Sequence, residues 1–429
     1  MEQEIYRIYL NQHIGRPALA CVNPKDEVLK GTLIGKADEG LSLNVHASVS
    51  GTVTLVTGEY IEIHKNRTET GGYLHLTSQN PIDLVQEAGI CGMGGAGFPT
   101  YAKLKTKLKE GGIVIVNAAE CEPVLGHNLK RIITNPEEVV EGLAIAMDIA
   151  NVNKGVIAIK GKHTAAVLLL KKHLKKNMGI FLLPDLYPMG EERAVIREIT
   201  GKLLDIHSLP QDANSIVINL ETIFRVYEAV TLKKPVISKD ITVGGNINRG
   251  NKAILDVPVG TQVGELIRLS GGIGKDVGEL ILGGPFTGKR ISPDTFITKT
   301  TGGILAAMPF LQDKRDMGLL VCACGGNEDR LRQIAASMGA NVIGVEFCKQ
   351  AHPVNGRLKC DNPGKCPGQS VKVLNLKKLG AKTLLISTCT DCSNTVMSIA
   401  PNLQMPVYHC TDGVLRGAGF SLVRKIHLH

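Results

Sequence analysis

The sequence predicts a multidomain α/β protein, and three observations carry that reading. Strand-like and helix-like segments alternate across residues 81–235 and again across 313–429, the pattern of sheets with substantially parallel strands. Residues 1–80 hold short runs of alternating apolar and small residues between glycines, which reads as a small β-sandwich. Residues 236–312 are glycine-rich with β runs. The 429 residues are long enough for these four units.

Composition narrows the function. Aromatics make up 4% of residues and Trp is absent, so stacking platforms for nucleic acid are not expected. The net charge of +9 is scattered, apart from Lys171-Lys172 and Lys175-Lys176, which read as a solvated helix face. The N-terminal MEQEIYRIYL does not resemble a signal peptide, and no apolar run is long enough to cross a membrane. A cytoplasmic protein, at most peripheral to the inner face of a membrane, is expected. Of 11 cysteines, eight lie after residue 321, which points to metal or redox chemistry rather than a disulfide framework.

In chain order, Leu29–Gly35 and Val45–Val53 read as strands of the first unit, with His46 a packing residue. In the second unit the strands are Gly112–Val116, Gly155–Ile159, Ile180–Leu183 and Ser215–Ile218. Helices are expected over Ile82–Ile90, Tyr101–Lys109, Pro136–Ile149, Thr164–Lys175 and Arg193–Ile199. Pro136 suits a helix start, Glu137 and Glu138 suit its dipole, and Val139, Val140, Leu143, Ala144 and Met147 form one apolar face. In the last unit, strands Gly318–Val321, Ala340–Val345, Thr383–Ser387 and Met405–Tyr408 alternate with helices Arg330–Met338, Ser370–Lys378 and Asn394–Ile399.

The stretch Gly92-Met93-Gly94-Gly95-Ala96-Gly97-Phe98-Pro99-Thr100 lets backbone amides approach an anion closely, at an expected helix start. Asn117-Ala118-Ala119-Glu120-Cys121-Glu122-Pro123 follows at the end of a strand, where α/β folds place ligands. Tyr187-Pro188-Met189-Gly190-Glu191-Glu192-Arg193 and Asn219-Leu220-Glu221-Thr222 come after. These four motifs, in this order, resemble the NADH-oxidising flavoprotein subunit of respiratory complex I and its relative RnfC over roughly residues 1–310. The resemblance implies a lipoyl-like β-sandwich at 1–80, an FMN- and NADH-binding α/β domain at 81–235 and a β-grasp SLBB domain at 236–312. Gly283–Gly288 matches that family's GGPxxG loop and is expected to pack near the flavin domain.

The same resemblance implies site roles. FMN phosphate would lie on the amides of Gly92, Gly94, Gly95, Ala96 and Gly97, with Lys103 as charge partner. Asn117 and Glu120 would bond the flavin or its ribityl chain, and Glu122 would help hold NADH. Gly190 would allow close approach to the ring, with Glu191 and Glu192 on ribityl or ribose hydroxyls. Asn219 and Thr222 would close the phosphate end. Where complex I subunits carry Arg between the first two glycines, this chain has Met93.

The cysteine-rich end departs from RnfC, whose C-x₂-C-x₂-C-x₃-C-P runs are absent. It resembles instead the RnfC-like electron-transfer proteins associated with proline reductase. Three readings stay open. Four of Cys322, Cys324, Cys348, Cys360, Cys366, Cys389 and Cys392 ligate an iron–sulfur cluster; or Cys389 and Cys392 form a redox dithiol at a helix start; or zinc is bound. The expected function is electron transfer from NADH through FMN and this centre to a partner reductase, most simply proline reductase. The alternative is a non-catalytic adaptor that docks a reductase to a membrane Rnf-type complex.

Overall fold

A computed structural model describes residues 4–66 and 71–424. The first unit pairs Ile5–Tyr9, Tyr60–Lys65, Gly51–Val56 and Glu27–Val28 in one antiparallel sheet, and Leu19–Ala20, Leu33–Lys36 and Val45–His46 in another. Ile8, Ile34, Val45, Val53, Ile61 and Ile63 form the buried seam between them. The expected Leu29–Gly35 strand starts only at Leu33, because Gly31 turns the chain at φ +91° and the Leu29 N–H bonds Thr32 Oγ1. The expected Val45–Val53 strand breaks in two because the chain changes sheets there, with Ser48 bonded to the Val259 carbonyl at 2.6 Å. His46 is buried packing, as expected.

The second unit is a parallel sheet in the order Met178–Leu183, Gly155–Lys160, Ile113–Ala118, Ser215–Asn219. Strand order reverses between the last two, so their carboxyl ends open the crevice where such sheets bind ligands. Register sets Asn117 beside Asn219 there. The Pro136–Ile149 helix forms as expected, burying Val139, Val140, Leu143 and Met147, with Ala146 rather than Ala144 completing the face. The Lys-rich helix is shorter than expected and covers only Thr100–Leu104. Beyond it the Lys109 N–H is captured by Asn214 Oδ1 at 2.8 Å and Gly111 turns at φ +75°. Lys171, Lys172, Lys175 and Lys176 are not buried, in keeping with a solvated face.

The third sheet has the order Lys252–Pro258, Ser238–Gly245, Gly303–Ala307, Glu279–Leu282, Lys289–Ile291, with its first and last strands in sequence parallel at the centre. The helix Val263–Leu269 packs into its core through Val263, Leu266 and Ile267. This is β-grasp topology. The fourth unit is again parallel, in the order Asn341–Phe347, Asp316–Val321, Thr383–Ile386, Val407–His409. Its reversal lies between Asp316–Val321 and Thr383–Ile386, the strands that lead into Cys322 and Cys389.

A buried ionic network joins the second and third units. Arg225 donates to Glu228 (2.7 Å), Asp256 (2.8 Å) and Asp240 (3.0 Å), while Arg131 grips Asp240 through two nitrogens (2.6 and 2.8 Å) and reaches Asp256 (2.9 Å). Lys239 pairs with Glu221. Against the burial that opposes ionisation, Arg225 and Arg131 hold the Asp256 carboxyl well below its ordinary range. Arg225→Met strands these carboxylates without their central cation. It is expected to destabilise the protein by about 3–5 kcal/mol, read as a lowered unfolding temperature at neutral pH.

Candidate functional site

The glycine loop is closed at its base. The Gly92 N–H donates to the Phe98 carbonyl (2.8 Å) and the Gly97 N–H to the Gly92 carbonyl (3.0 Å). Among the described residues, the amides of Gly94, Gly95 and Ala96 between them have no intramolecular acceptor. Gly95 sits at φ +117°, which a side chain disfavours, and a Cβ on Gly94 would lie 3.0 Å from Asn219 Nδ2. Met93, where complex I subunits carry Arg, is buried, and its N–H donates to Thr222 Oγ1 at 2.9 Å. Thr222 thus anchors the loop. The helix after the loop is one turn long, and its first amide, Thr100 N–H, is bonded to the Ile90 carbonyl.

A cavity of about 180 Å³ lies against this loop, lined by Gly94, Gly95, Asn117, Glu120, Asn128, Gly190 and Asn219 among others. Asn219 caps the Leu220–Thr231 helix through its side-chain oxygen. Asn117 Nδ2 donates to the Gly190 carbonyl at 2.8 Å, and a Cβ on Gly190 would lie 2.9 Å from Cys121 Sγ. Glu120, at φ +39°, accepts from the Asn128 (2.9 Å) and Leu129 (3.0 Å) amides, and so caps the His127–Thr134 helix. Asn128 was not foreseen. Its Oδ1 is buried without a partner beside the cavity, an acceptor waiting for a donor. Three free amides, a bare glycine approach and an orphaned acceptor fit FMN, an anionic phosphate joined to hydroxyls and a ring N–H.

A second cavity of about 440 Å³ shares Gly94, Cys121, Glu122, Gly190 and Thr287 with the first and extends to Cys324 and Cys360. Glu122 lies between them. It accepts from the Phe286 (2.9 Å) and Thr287 (3.0 Å) amides and from Thr287 Oγ1 (2.7 Å), wrapping the Gly283–Gly288 loop onto the flavin unit. Burial raises its carboxyl pKa, and the three donors pull the other way. Glu191 accepts from the Ala194 amide (2.9 Å) and Arg193 Nε (3.1 Å), capping the Glu192–Thr200 helix. Lys103 is turned away from the loop: it pairs with Glu192 (2.8 Å) and the Val217 carbonyl (3.1 Å), and lines neither cavity.

Cys322, Cys324, Cys348, Cys360, Cys366, Cys389 and Cys392 converge through thiol–thiol contacts at the carboxyl ends of the fourth sheet and in the loops beside it. The Sγ atoms of Cys322, Cys348 and Cys392 lie within 4.8 Å of one another. Cys389 caps the Thr390–Met397 helix, and contacts with Cys324 and Cys392 hold its thiol pKa well below the ordinary value. Cys366 is lowered to about 7, chiefly by Cys392. Gln369, also unforeseen, is fully buried and its Nε2 donates to Cys348 (3.1 Å), Cys392 (3.4 Å) and Cys366 (3.6 Å). Crowded sulfurs with an amide donor fit an iron–sulfur cluster or another thiolate-held metal. Burial pushes the Cys91 thiol to about 11 and the Cys121 and Cys410 thiols to about 12, as inert packing cysteines.

The comparisons with known proteins agree with this layout. The RnfC barrel sandwich hybrid domain model matches residues 1–70 and the Nuo51 FMN-binding domain model residues 85–228. The chain is 33% identical over 319 residues to the C component of the proton-translocating ferredoxin:NAD(+) oxidoreductase complex of Clostridium ljungdahlii, covering 70% of this chain and 69% of that one. The chain belongs to the RnfC family. It is 34% identical to the C component of the ion-translocating oxidoreductase complex of Rhodobacter capsulatus, over 70% of this chain and 62% of that one. It is 35% identical to the cobalamin reductase PduS of Salmonella typhimurium, over 76% of this chain and 69% of that one. Among the described residues, this RnfC-family chain has no helix long and apolar enough to cross a membrane.

His127, beside Glu120 and Thr242, is buried, and burial lowers its pKa to about 4. The folded form is therefore neutral where the unfolded chain, near 6.5, takes up a proton. Its contribution to stability is whole above about pH 6.5 and is lost as pH falls toward about 4. His127→Gln is expected to flatten the fall of unfolding temperature with pH across that window, relative to the unchanged protein.

Proposed function

We propose that this RnfC-type chain passes electrons from NADH, through FMN in the glycine-loop cavity, to the C-terminal cysteine centre and on to a partner reductase. The observation that carries the reading is that the two cavities share Gly94, Cys121, Glu122, Gly190 and Thr287 in their walls, one reaching the glycine loop and the other Cys324 and Cys360. The amides of Gly94, Gly95 and Ala96 hold the FMN phosphate; Asn117, Asn128 and Asn219 bond its ribityl chain and ring; Gly190 keeps the ring face clear. NADH enters the larger cavity beside Glu122, Glu191 and Glu192. FMN, when bound, supplies the exchange between a paired hydride donor and acceptors that take electrons singly. The protein's part is to position both partners and to keep bulk water from the sulfurs, which are largely buried.

The cysteine centre takes an iron–sulfur cluster in this reading, and proline reductase is the proposed acceptor. Support for a dedicated reductase rather than a membrane complex is the absence of the C-x₂-C-x₂-C-x₃-C-P runs, replaced by a separate sheet with its own sulfurs. PduS, a relative by sequence, is named as a cobalamin reductase.

Anaerobic purification is expected to give a yellow-brown protein with flavin, iron and sulfide, whose flavin absorbance bleaches on adding NADH. Protein without flavin that also fails to bind added FMN would overturn the reading and leave a docking adaptor. Gly94→Val, whose side chain enters the cavity against Asn219, is expected to abolish FMN binding while leaving iron content unchanged.

A further inference from the structure

The seven converging cysteines differ in what holds them and in what they face. Gln369 Nε2 donates to Cys348, Cys366 and Cys392 together, and Cys322 shares the 4.8 Å sulfur cluster with Cys348 and Cys392. None of these four lines the 440 Å³ cavity; Cys324 and Cys360 do, beside Gly190 and Glu191. The Cys324 thiol touches those of Cys322, Cys360 and Cys389, and of these Cys360 alone shares the cavity with it. The backbones of this pair are also tied to the flavin unit: the Tyr187 hydroxyl donates to the Cys324 carbonyl, and Arg193 Nη2 donates to the Cys360 carbonyl at 2.5 Å.

We propose that these cysteines form two sites. Cys322, Cys348, Cys366 and Cys392 hold the metal centre, with four thiolates meeting the coordination need of a thiophilic ion or cluster. Cys324 and Cys360 form a separate dithiol–disulfide couple facing the cavity. The redox role of this pair rests on the proposed placement of FMN and NADH in the two adjoining cavities. In the oxidised form one S–S bond joins Cys324 to Cys360. A reduced flavin in the adjoining glycine-loop cavity would give two electrons and, with solvent, two protons; the S–S bond breaks, two S–H bonds form and the flavin returns to its oxidised state. The couple accepts electrons in pairs, as a hydride donor delivers them, whereas an iron–sulfur centre takes them singly. The two sites adjoin: Cys322 touches Cys324, and Cys389 touches both Cys324 and Cys392.

The test uses the full chain, purified anaerobically, as the unchanged protein, as Cys324→Ser/Cys360→Ser and as Cys348→Ser. Iron, sulfide and zinc are measured, and each protein is equilibrated in dithiothreitol redox buffers before differential alkylation and peptide mass spectrometry. The double variant is expected to keep its metal at the level of the unchanged protein. Cys348→Ser is expected to lose most of its metal yet still form the Cys324–Cys360 disulfide, with a cooperative unfolding transition showing that it has folded. Metal lost from the double variant would overturn the division, as would an unchanged protein in which Cys324 and Cys360 stay thiols in every buffer. Neither readout needs flavin or NADH. An unchanged protein that ignores NADH, or carries zinc, would therefore sink the electron relay while the assignment of the two sites is still decided by these counts.

Discussion

Tyr187 is where the units of this protein are held at a fixed separation. Its N–H donates to Thr390 Oγ1 at 3.1 Å, its carbonyl accepts from the Thr390 N–H at 3.3 Å, and its hydroxyl donates to the Cys324 carbonyl. Its ring stacks on Phe286 of the β-grasp unit, with centroids 3.6 Å apart. Thr390 stands between Cys389 and Cys392, so one residue of the flavin unit positions the loop that carries those sulfurs. Burial holds the phenol pKa well above its ordinary value, which keeps it a hydrogen-bond donor across the working pH range. Two parallel sheets each offer a ligand crevice at their carboxyl ends. The Tyr187 contacts, with the Arg193 bond to the Cys360 carbonyl, bring those crevices together.

The carboxylates around the flavin crevice follow a common physical logic. Glu120 and Glu191 are bonded to helix-start amides, and Glu122 to the amides of the Gly283–Gly288 loop. A buried carboxylate costs several kcal/mol unless it is bonded in this way, and each bond also fixes a backbone segment. The inner cavity is left with neutral amides from Asn117, Asn128 and Asn219 and with the free N–H groups of the glycine loop. Such a lining admits a phosphate without facing it with free negative charge. Lys103 is bound to Glu192 rather than to the loop, so backbone donors are the anion-binding device.

Much of this arrangement was legible in the sequence, for identifiable reasons. Alternating periodicity and the proline and glycine punctuation are local, and the Pro136–Ile149 and Ser370–Lys378 helices form over the residues expected. The cysteines fall at or beyond strand ends because strands and the loops after them can be read one at a time. What was hidden depends on distant partners. Glu122 and Thr287 are separated by 165 residues, Arg193 and Cys360 by 167, and no local pattern announces either contact. Gln369 and Asn128 carry no local pattern that sets them apart, and their roles come from the residues packed around them. The Lys-rich helix ends at Leu104, and the Lys109 amide beyond it is bonded to Asn214, more than a hundred residues later.

The same dependence on distant contacts bears on how the cysteines can work. The sulfurs near Gln369 share a donor from their own unit, although the loops that carry Cys392 and Cys366 are also tied to the flavin unit through Tyr187 and Arg197. Cys324 and Cys360 take their backbone anchors from Tyr187 and Arg193, both in the motif that frames the flavin crevice. Their placement is therefore a property of the docked molecule and is coupled to whatever occupies the cavity. A change that moves the segment around Gly190 moves the anchors of both cysteines, whereas the sulfurs around Gln369 keep their own donor. Coupling of this kind needs no conformational switch. It follows from which element supplies each hydrogen bond.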